Sequence, residues 1–391
     1  MKKSLLSLSI GGFGIGMTEF VMMGILPDLS RTMDISIPVA GHLISAYALG
    51  VVLGAPLLVG IAGKYPPKKI LMGLMLLFTL FNGISALAPT YELLFIARLF
   101  SGLPHGAFFG VGAVVASRLA EPGREARAIS IMFAGLTLAN IIGVPLGTWI
   151  GHNLDWRYTF VIIAGVGMLA VWSVKMWMPV IPAPENSSLK SNLQVFTRSE
   201  PWLIVGITAI GTGGLFAWFS YISKLMTEVA GFSENSISFI LVLAGAGMAV
   251  GNVIGGKMAD RFSAINATAL LLLVMVASLL TVSAISQYKA AAIIMTFVTG
   301  AVAFAMVAPV QMLMIKAATG AEMLAASVSQ ASFNIGNAIG AFLGGLPIAA
   351  GLGYTSPQWV GAALALGGFL FCIPMFVLHK KQKDSNQVAV S

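Results

Sequence analysis

Apolar residues come in long blocks separated by short polar breaks. Twelve such runs can be read, at about 5–27, 39–62, 70–88, 93–117, 128–151, 158–180, 201–223, 236–256, 265–286, 290–315, 323–350 and 357–378. Each is long enough, at about 18 residues or more, to cross the hydrocarbon core of a bilayer as a helix. The pattern therefore predicts an all-α membrane protein of twelve transmembrane helices, here numbered span 1 to span 12. Spans 10 and 11 are the longest and are expected to be tilted or broken. The opening Met1-Lys2-Lys3 followed by an apolar stretch mimics a signal peptide. The run is too long for one, lacks a clear cleavage site, and leads through a polar turn straight into span 2, so it reads as span 1.

Composition changes the picture in one respect: it makes the bilayer the solvent. The chain is 58% hydrophobic and 9% charged, against roughly 25% charged residues in a soluble domain. Its 44 glycines suit close helix–helix packing in lipid. The single cysteine, Cys372, excludes an intramolecular disulfide. Charge then sets orientation. With both termini in the cytoplasm, 17 of the 22 Lys and Arg fall in inner segments, among them Lys64, Lys68, Lys69, Arg118, Arg124 and Arg127. The outer loops hold only Arg31, Arg157, Lys224 and Lys289. That bias predicts cytoplasmic termini in a bacterial inner membrane, and it accounts for the net charge of +8 without a nucleic-acid partner.

The chain also repeats itself. Displaced by 197 residues, Gly50 meets Gly247, Gly54 meets Gly251, Asn140 meets Asn337, Gly143 meets Gly340 and Gly147 meets Gly344. One register holding across spans 2, 5, 8 and 11 predicts two parallel six-helix pseudo-repeats, a transporter architecture with its site near the midplane. The expected organisation is an N-terminal bundle at 1–180, a polar cytoplasmic linker at 181–199, a C-terminal bundle at 200–379 and a cytoplasmic tail at 380–391.

Two ionisable residues cannot be placed in loops or at helix ends: Glu19 in span 1 and Arg98 in span 4. Such groups are expensive in a bilayer and face a cavity or a partner. Counted from the outer ends of their spans, both lie roughly 8–12 Å below the surface at 1.5 Å per residue, so they can meet. A carboxyl held between burial and a nearby cation can change protonation as a cavity opens, which is what proton coupling requires; a static salt bridge that sets helix register is the other reading. The repeat places Phe216 and Met295 at the matching positions, so these charges belong to one half only.

Further polar groups lie within the spans. His105 is near the face of Arg98 and reads either as a cavity or relay residue or as a packed histidine. Asn140, Gln311, Asn334 and Asn337 read as interhelical hydrogen-bonding groups or as cavity lining. Trp218 and Tyr221 lie in an aromatic run after Gly213-Gly214, and suit either the cavity or an interfacial belt. Small residues at spacing four (Gly102, Gly106 and Gly110; Gly135, Ala139, Gly143, Gly147 and Gly151; Gly336, Gly340 and Gly344) form smooth faces for backbone contact. Such faces also allow one half to rock on the other.

These residues resemble the major facilitator superfamily over essentially the whole chain. Within it they look like the twelve-span drug–proton antiporter group, and the AraJ-like exporters in particular. TEFVMMGILPDLS (18–30) is similar to the group's span 1 signature, RLFSGLPHGAFFGVGAV (98–114) to its span 4 motif and ANIIGVPLGTWIG (139–151) to its span 5 antiporter motif. The resemblance implies proton coupling through Glu19 and Arg98, and packing of the antiporter motif through Gly135, Gly143, Pro145 and Gly147. It also implies a cavity lined by spans 1, 4, 7 and 10, with His105, Asn140, Trp218, Tyr221, Gln311 and Asn337 as candidates. The resemblance further implies a cytoplasmic latch at Lys64, Asp260 and Arg261. Two departures stand out. The loop after span 2 reads GIAGKYPPKKI, with Gly63 where the family has an acid and Pro66 where glycine is usual. The antiporter motif is interrupted as Gly143-Val144-Pro145.

The expected function is alternating-access export of a small molecule (a sugar, drug or metabolite) in exchange for protons. The expected protein is a monomer in the lipid bilayer, with no cofactor and no metal. A symporter or uniporter would keep the same fold. An embedded enzyme would need paired acids, a Ser–His pair or a metal cluster at membrane depth, which four scattered histidines, one cysteine and one intramembrane acid do not supply. A receptor or scaffold would need a soluble domain, and the longest loop is about 20 residues.

Overall fold

The computed structural model describes residues 2–62, 65–121, 125–182, 194–318 and 321–390. Among them the structure is helical, with no strand. Lys64, Arg124 and most of the expected linker, 183–193, lie outside the described residues, as does the side chain of Asp260.

Among the described residues eleven helices are long and apolar enough to cross a membrane. The twelfth, span 11 (Glu322–Ala349), is 28 residues long; its serines and asparagines lower its hydropathy. Spans 2, 3, 4 and 6 are Ile37–Ala62, Pro67–Leu87, Tyr91–Arg118 and Trp156–Trp177; spans 8 and 9 are Ile237–Arg261 and Ala264–Ile285. Side-chain caps fix several starts: Thr90, Asp155 and Ser263 accept from the backbone N–H of Leu93, Arg157 and Asn266 at 3.4, 2.8 and 3.3 Å. Span 1 runs Lys2–Thr32, through Pro27. Span 12 runs Pro357–Val390, so the helix continues past 380 into residues expected as tail; lysine and glutamine there are good helix formers.

Spans 5 and 7 break in places the hydropathy does not mark, and span 10 breaks as its length predicts. Span 5 consists of Glu125–Leu138, a π-helical turn at Ala139–Gly143, and Val144–Asn153. Span 7 consists of Ser199–Gly211 and Gly213–Phe219, followed by Ile222–Lys224 and a second π turn at Leu225–Val229. Span 10 breaks at Met306, between Lys289–Ala305 and Val307–Ala317, whereas span 11 is unbroken.

The repeat reappears as packing. A Cβ on Gly54 would collide with the Leu103 backbone of span 4, and one on Gly251 with the Ala301 backbone of span 10. Likewise Gly135 of span 5 abuts the Ser9 backbone of span 1, and Gly340 of span 11 abuts the Gly213 backbone of span 7. The glycine ridges thus bring helices together inside each set of six. The two sets meet along other seams. Ser45 of span 2 donates to the Ala338 carbonyl of span 11 at 3.0 Å. Ser223, after span 7, donates to the Met23 carbonyl of span 1 at 2.8 Å. Span 8 packs Gly245 on the Asn140 backbone of span 5.

Candidate functional site

A narrow chamber lies between the two sets of helices, lined by Glu19 and Phe20 of span 1, Phe133 and Leu136 of span 5, Thr208 and Thr212 of span 7, Phe304 and Gln311 of span 10, and Gln330 and Phe333 of span 11. Its volume is about 70 Å³. Aromatic rings make it narrow: Phe20 packs on Phe216, Phe219 and Phe304 with centroids 6.2, 6.1 and 6.3 Å apart, and Phe216 meets Phe333 at 5.2 Å. A larger vestibule of about 440 Å³ shares Phe133 and Gln311 with the chamber and extends to Arg118 and Ile315, which are exposed. That volume is within the range of small-molecule sites. It lies at the face that carries the chain termini. Toward the opposite face the seams at Ser45–Ala338 and Ser223–Met23 close, and the His42 and Phe342 rings stand 5.5 Å apart.

Glu19 is 2% exposed. Its one hydrogen-bond contact is long, 3.5 Å from the Asn337 Nδ2 of span 11. Among the described residues no cationic nitrogen lies within 4.0 Å of its carboxylate. Arg98 is near enough to interact electrostatically with Glu19 but does not line the chamber. It is fully buried inside the first six spans. There its Nη1 donates to Thr18 Oγ1 at 2.9 Å, Thr18 donates to Asn82 Oδ1 at 2.6 Å, and Asn82 donates to the Phe78 carbonyl at 2.8 Å. The guanidinium lies 4.4 Å from the Tyr47 ring centroid and 5.8 Å from that of Phe160. Its Nε and Nη2 have no hydrogen-bond partner.

The structure distributes the other candidates. Gln311 lines both chamber and vestibule. His105 is buried, its Nδ1 3.1 Å from the Tyr47 hydroxyl and its ring 5.3 Å from Phe109. Asn140 sits in the π turn and donates to the Leu136 carbonyl at 3.1 Å. Trp218 is buried beside Phe219, and Tyr221 donates to the Ala341 carbonyl at 2.6 Å. Both are buried and neither lines the chamber; the Tyr221 hydroxyl lies against Gly41 of span 2, where the two halves meet. Gly143 and Gly147 face Phe13, Met17 and Val21 of span 1. Pro145 is buried just after the π turn. Of the expected latch, Arg261 is exposed at the end of span 8. No group of three or more His, Cys, Asp or Glu gathers among the described residues. Sequence reading missed Thr18, Tyr47 and Asn82 around Arg98. The signal available was polarity: an asparagine within span 3, and a threonine beside Glu19. The phenylalanines of the chamber carried no signal, since the chain has 23 of them.

Twelve membrane-length helices in two matching sets, with a midplane chamber reached from one face and sealed at the other, define a membrane transporter. The profile of the Major Facilitator Superfamily matches residues 8–326 and 222–390, and the chain belongs to that family. AraJ of Escherichia coli (strain K12) is 42% identical over 386 residues, covering 99% of this chain and 98% of AraJ. A chloramphenicol resistance protein of Streptomyces lividans is 28% identical over 373 residues, covering 94% of each. Among solved structures, a D-xylose–proton symporter superposes with a TM-score of 0.76 at 14% identity, covering 95% of this chain and 97% of that one; this likeness is one of fold.

Proposed function

We propose that the chain exports a small amphipathic solute from the cytoplasm by proton antiport, with Glu19 as the group that carries the proton. The supporting observation is the Glu19 carboxyl itself. It lines the chamber between the two halves, is almost wholly buried and, among the described residues, has one long amide contact and no ion pair. A carboxyl at this depth exists in two states, anionic and neutral, that interact differently with whatever else fills the chamber. Solute and proton therefore shift each other's occupancy, and each face in turn sets which is taken up. Arg98 holds Thr18, the neighbour of Glu19, and so positions that turn of span 1. In this reading the terminus-bearing face is cytoplasmic, so the structure is open inward, and the protein works as a monomer in a bacterial inner membrane. The two halves move as bundles joined by the 181–199 linker.

The phenylalanine-lined chamber favours a solute with an apolar body and few polar groups over a polyol, which would leave many hydroxyls unpaired. The chloramphenicol resistance protein, which aligns along most of its length, supports export of such a compound. Proteoliposomes offered chloramphenicol, a lipophilic dye and a hexose in turn from the outside test both points. The expected result is that a pH gradient drives accumulation of an amphipathic probe against the direction of proton flow. In Glu19→Gln, gradient-driven accumulation is lost while solute–solute exchange remains. Proton flow in the same direction as solute would make the protein a symporter, and full gradient-driven transport by Glu19→Gln would remove Glu19 from the mechanism.

A further inference from the structure

A second buried acid–base pair lies at the sealed face, between the ends of spans 1 and 5. Asp28, near the end of span 1, is 8% exposed. Its Oδ2 makes a short contact with Nδ1 of His152, at the end of span 5, and its Oδ1 accepts from Arg31 Nη2 at 2.7 Å. The His152 side chain is 4% exposed, and its Nε2 is buried without a partner. Arg31 reaches further: the same Nη2 lies 3.1 Å from Oε2 of Glu234, in the turn that leads into span 8. Arg31–Glu234 thus ties the first six spans to the last six across this face.

We infer that Asp28 and His152 form a second proton-binding site, and that its occupancy governs the Arg31–Glu234 tie. The inference requires alternating access but not that Glu19 carries the coupled proton. The short Nδ1–Oδ2 contact requires a hydrogen between the two atoms, because two bare lone pairs would repel. With the hydrogen on Nδ1 of a neutral imidazole, Nε2 is an acceptor with nothing to accept. A proton taken there converts the ring to imidazolium, and the set Asp28, Arg31, Glu234 and His152 passes from one net negative charge to neutral. Asp28 is then satisfied by His152 within its own half. Its hold on Arg31 weakens, and the exposed Arg31 side chain loses the carboxylate that aims it at Glu234. Protonation from this face therefore loosens the seal at this face.

The other charged groups on the packed elements are engaged elsewhere or lie apart. Asp155 and Arg157, at the start of span 6, face each other at 3.7 Å, with Arg157 also over the Trp156 ring. Lys224 and Glu228, after span 7, are paired at 3.0 Å. Asp34 lies in the turn that follows span 1. Among the described residues His152 is thus the histidine joined directly to the ionic tie.

The test places spin labels at Leu87→Cys and Tyr288→Cys, exposed positions in the two halves, with Cys372→Ser to remove the native thiol. Distances are measured on the full chain in nanodiscs by electron–electron resonance, in a Glu19→Gln background, so that the outcome is independent of the coupling role of Glu19. The expected result is a several-fold rise in the population open at the sealed face on going from about pH 8 to about pH 5, abolished by His152→Gln. Should His152→Gln not fold, Glu234→Gln supplies the reading: this exposed change cuts the tie and should open the face at both pH values. A pH response that survives His152→Gln, or a Glu234→Gln protein that stays closed at high pH, overturns the inference.

Discussion

Arg98 is held by geometry that only a guanidinium supplies. The planar group lies on the Tyr47 ring while one arm bonds Thr18, and Thr18 in turn bonds Asn82. The hydroxyl of Thr18 is both acceptor and donor in this chain. Thr18→Val keeps the shape but strands Arg98 Nη1 and Asn82 Oδ1 in a dry interior, a loss of about 2–3 kcal/mol. The expected outcome is a clearly lower melting temperature in detergent, with Thr18→Ser close to the parent; equal stability of Val and Ser variants would remove the network from the account. Glu19 and Arg98 were legible because charge is so scarce between helix ends. Their neighbours were not, because Thr18, Tyr47 and Asn82 are ordinary residues whose importance comes from where four helices converge. Asp28 and His152 were illegible for the opposite reason: at span ends a charge is inexpensive and draws no notice.

Close backbone approach governs the helices. Gly54 and Gly102 face the backbone of a partner helix, whereas the exposed Gly73 meets nothing within 4 Å. Gly54→Val should sharply reduce yield of folded protein, since the Leu103 backbone cannot move aside as a side chain could. Gly73→Ala should be neutral or slightly stabilising, because alanine has the better helix propensity. Size-exclusion profiles and melting curves compare the two, and a well-folded Gly54→Val would contradict the packing described. Spacing-four glycines announced these contacts from the sequence, but not their partners. The length of span 10 announced a break though not its place at Met306, whereas the π turn at Ala139–Gly143 leaves no mark in hydropathy, because a bulge changes the hydrogen-bond pattern of a helix without changing the apolar character of its residues.

The molecule as a whole is caught reachable from the terminus-bearing face, with spans 2 and 11 in contact near the other. Paired cysteines at Ser45 and Ala338, in a Cys372→Ser background, should cross-link readily on mild oxidation, halt transport and restore it on reduction. Failure to cross-link in the resting protein would mean that this seam is open in the membrane. The overall architecture was the most legible level of all. Twelve blocks of hydropathy and one displacement of 197 residues are properties of the entire chain, so they average over the local irregularities that hide single contacts. The route of the solute was less legible: it depends on which rings meet at the midplane, and that is fixed by the packing of both halves together.

The seams that close this face are built from hydroxyls bonded to carbonyls of the facing helix. Elsewhere in the same bundle Thr208, Thr296 and Ser332 instead fold back on the carbonyl four residues earlier, at 2.7, 2.8 and 2.7 Å. Ser45 can make that same retreat when the halves part, and the Ala338 carbonyl it leaves lies inside the unbroken helix of span 11. Ser223 does a different job: the Met23 carbonyl stands four residues before Pro27, which has no N–H to offer, so the hydroxyl supplies the missing donor. No donor is abandoned in oil at any stage. Along the Ser45 seam the wall can part and knit again without water having to enter the joint to mend it.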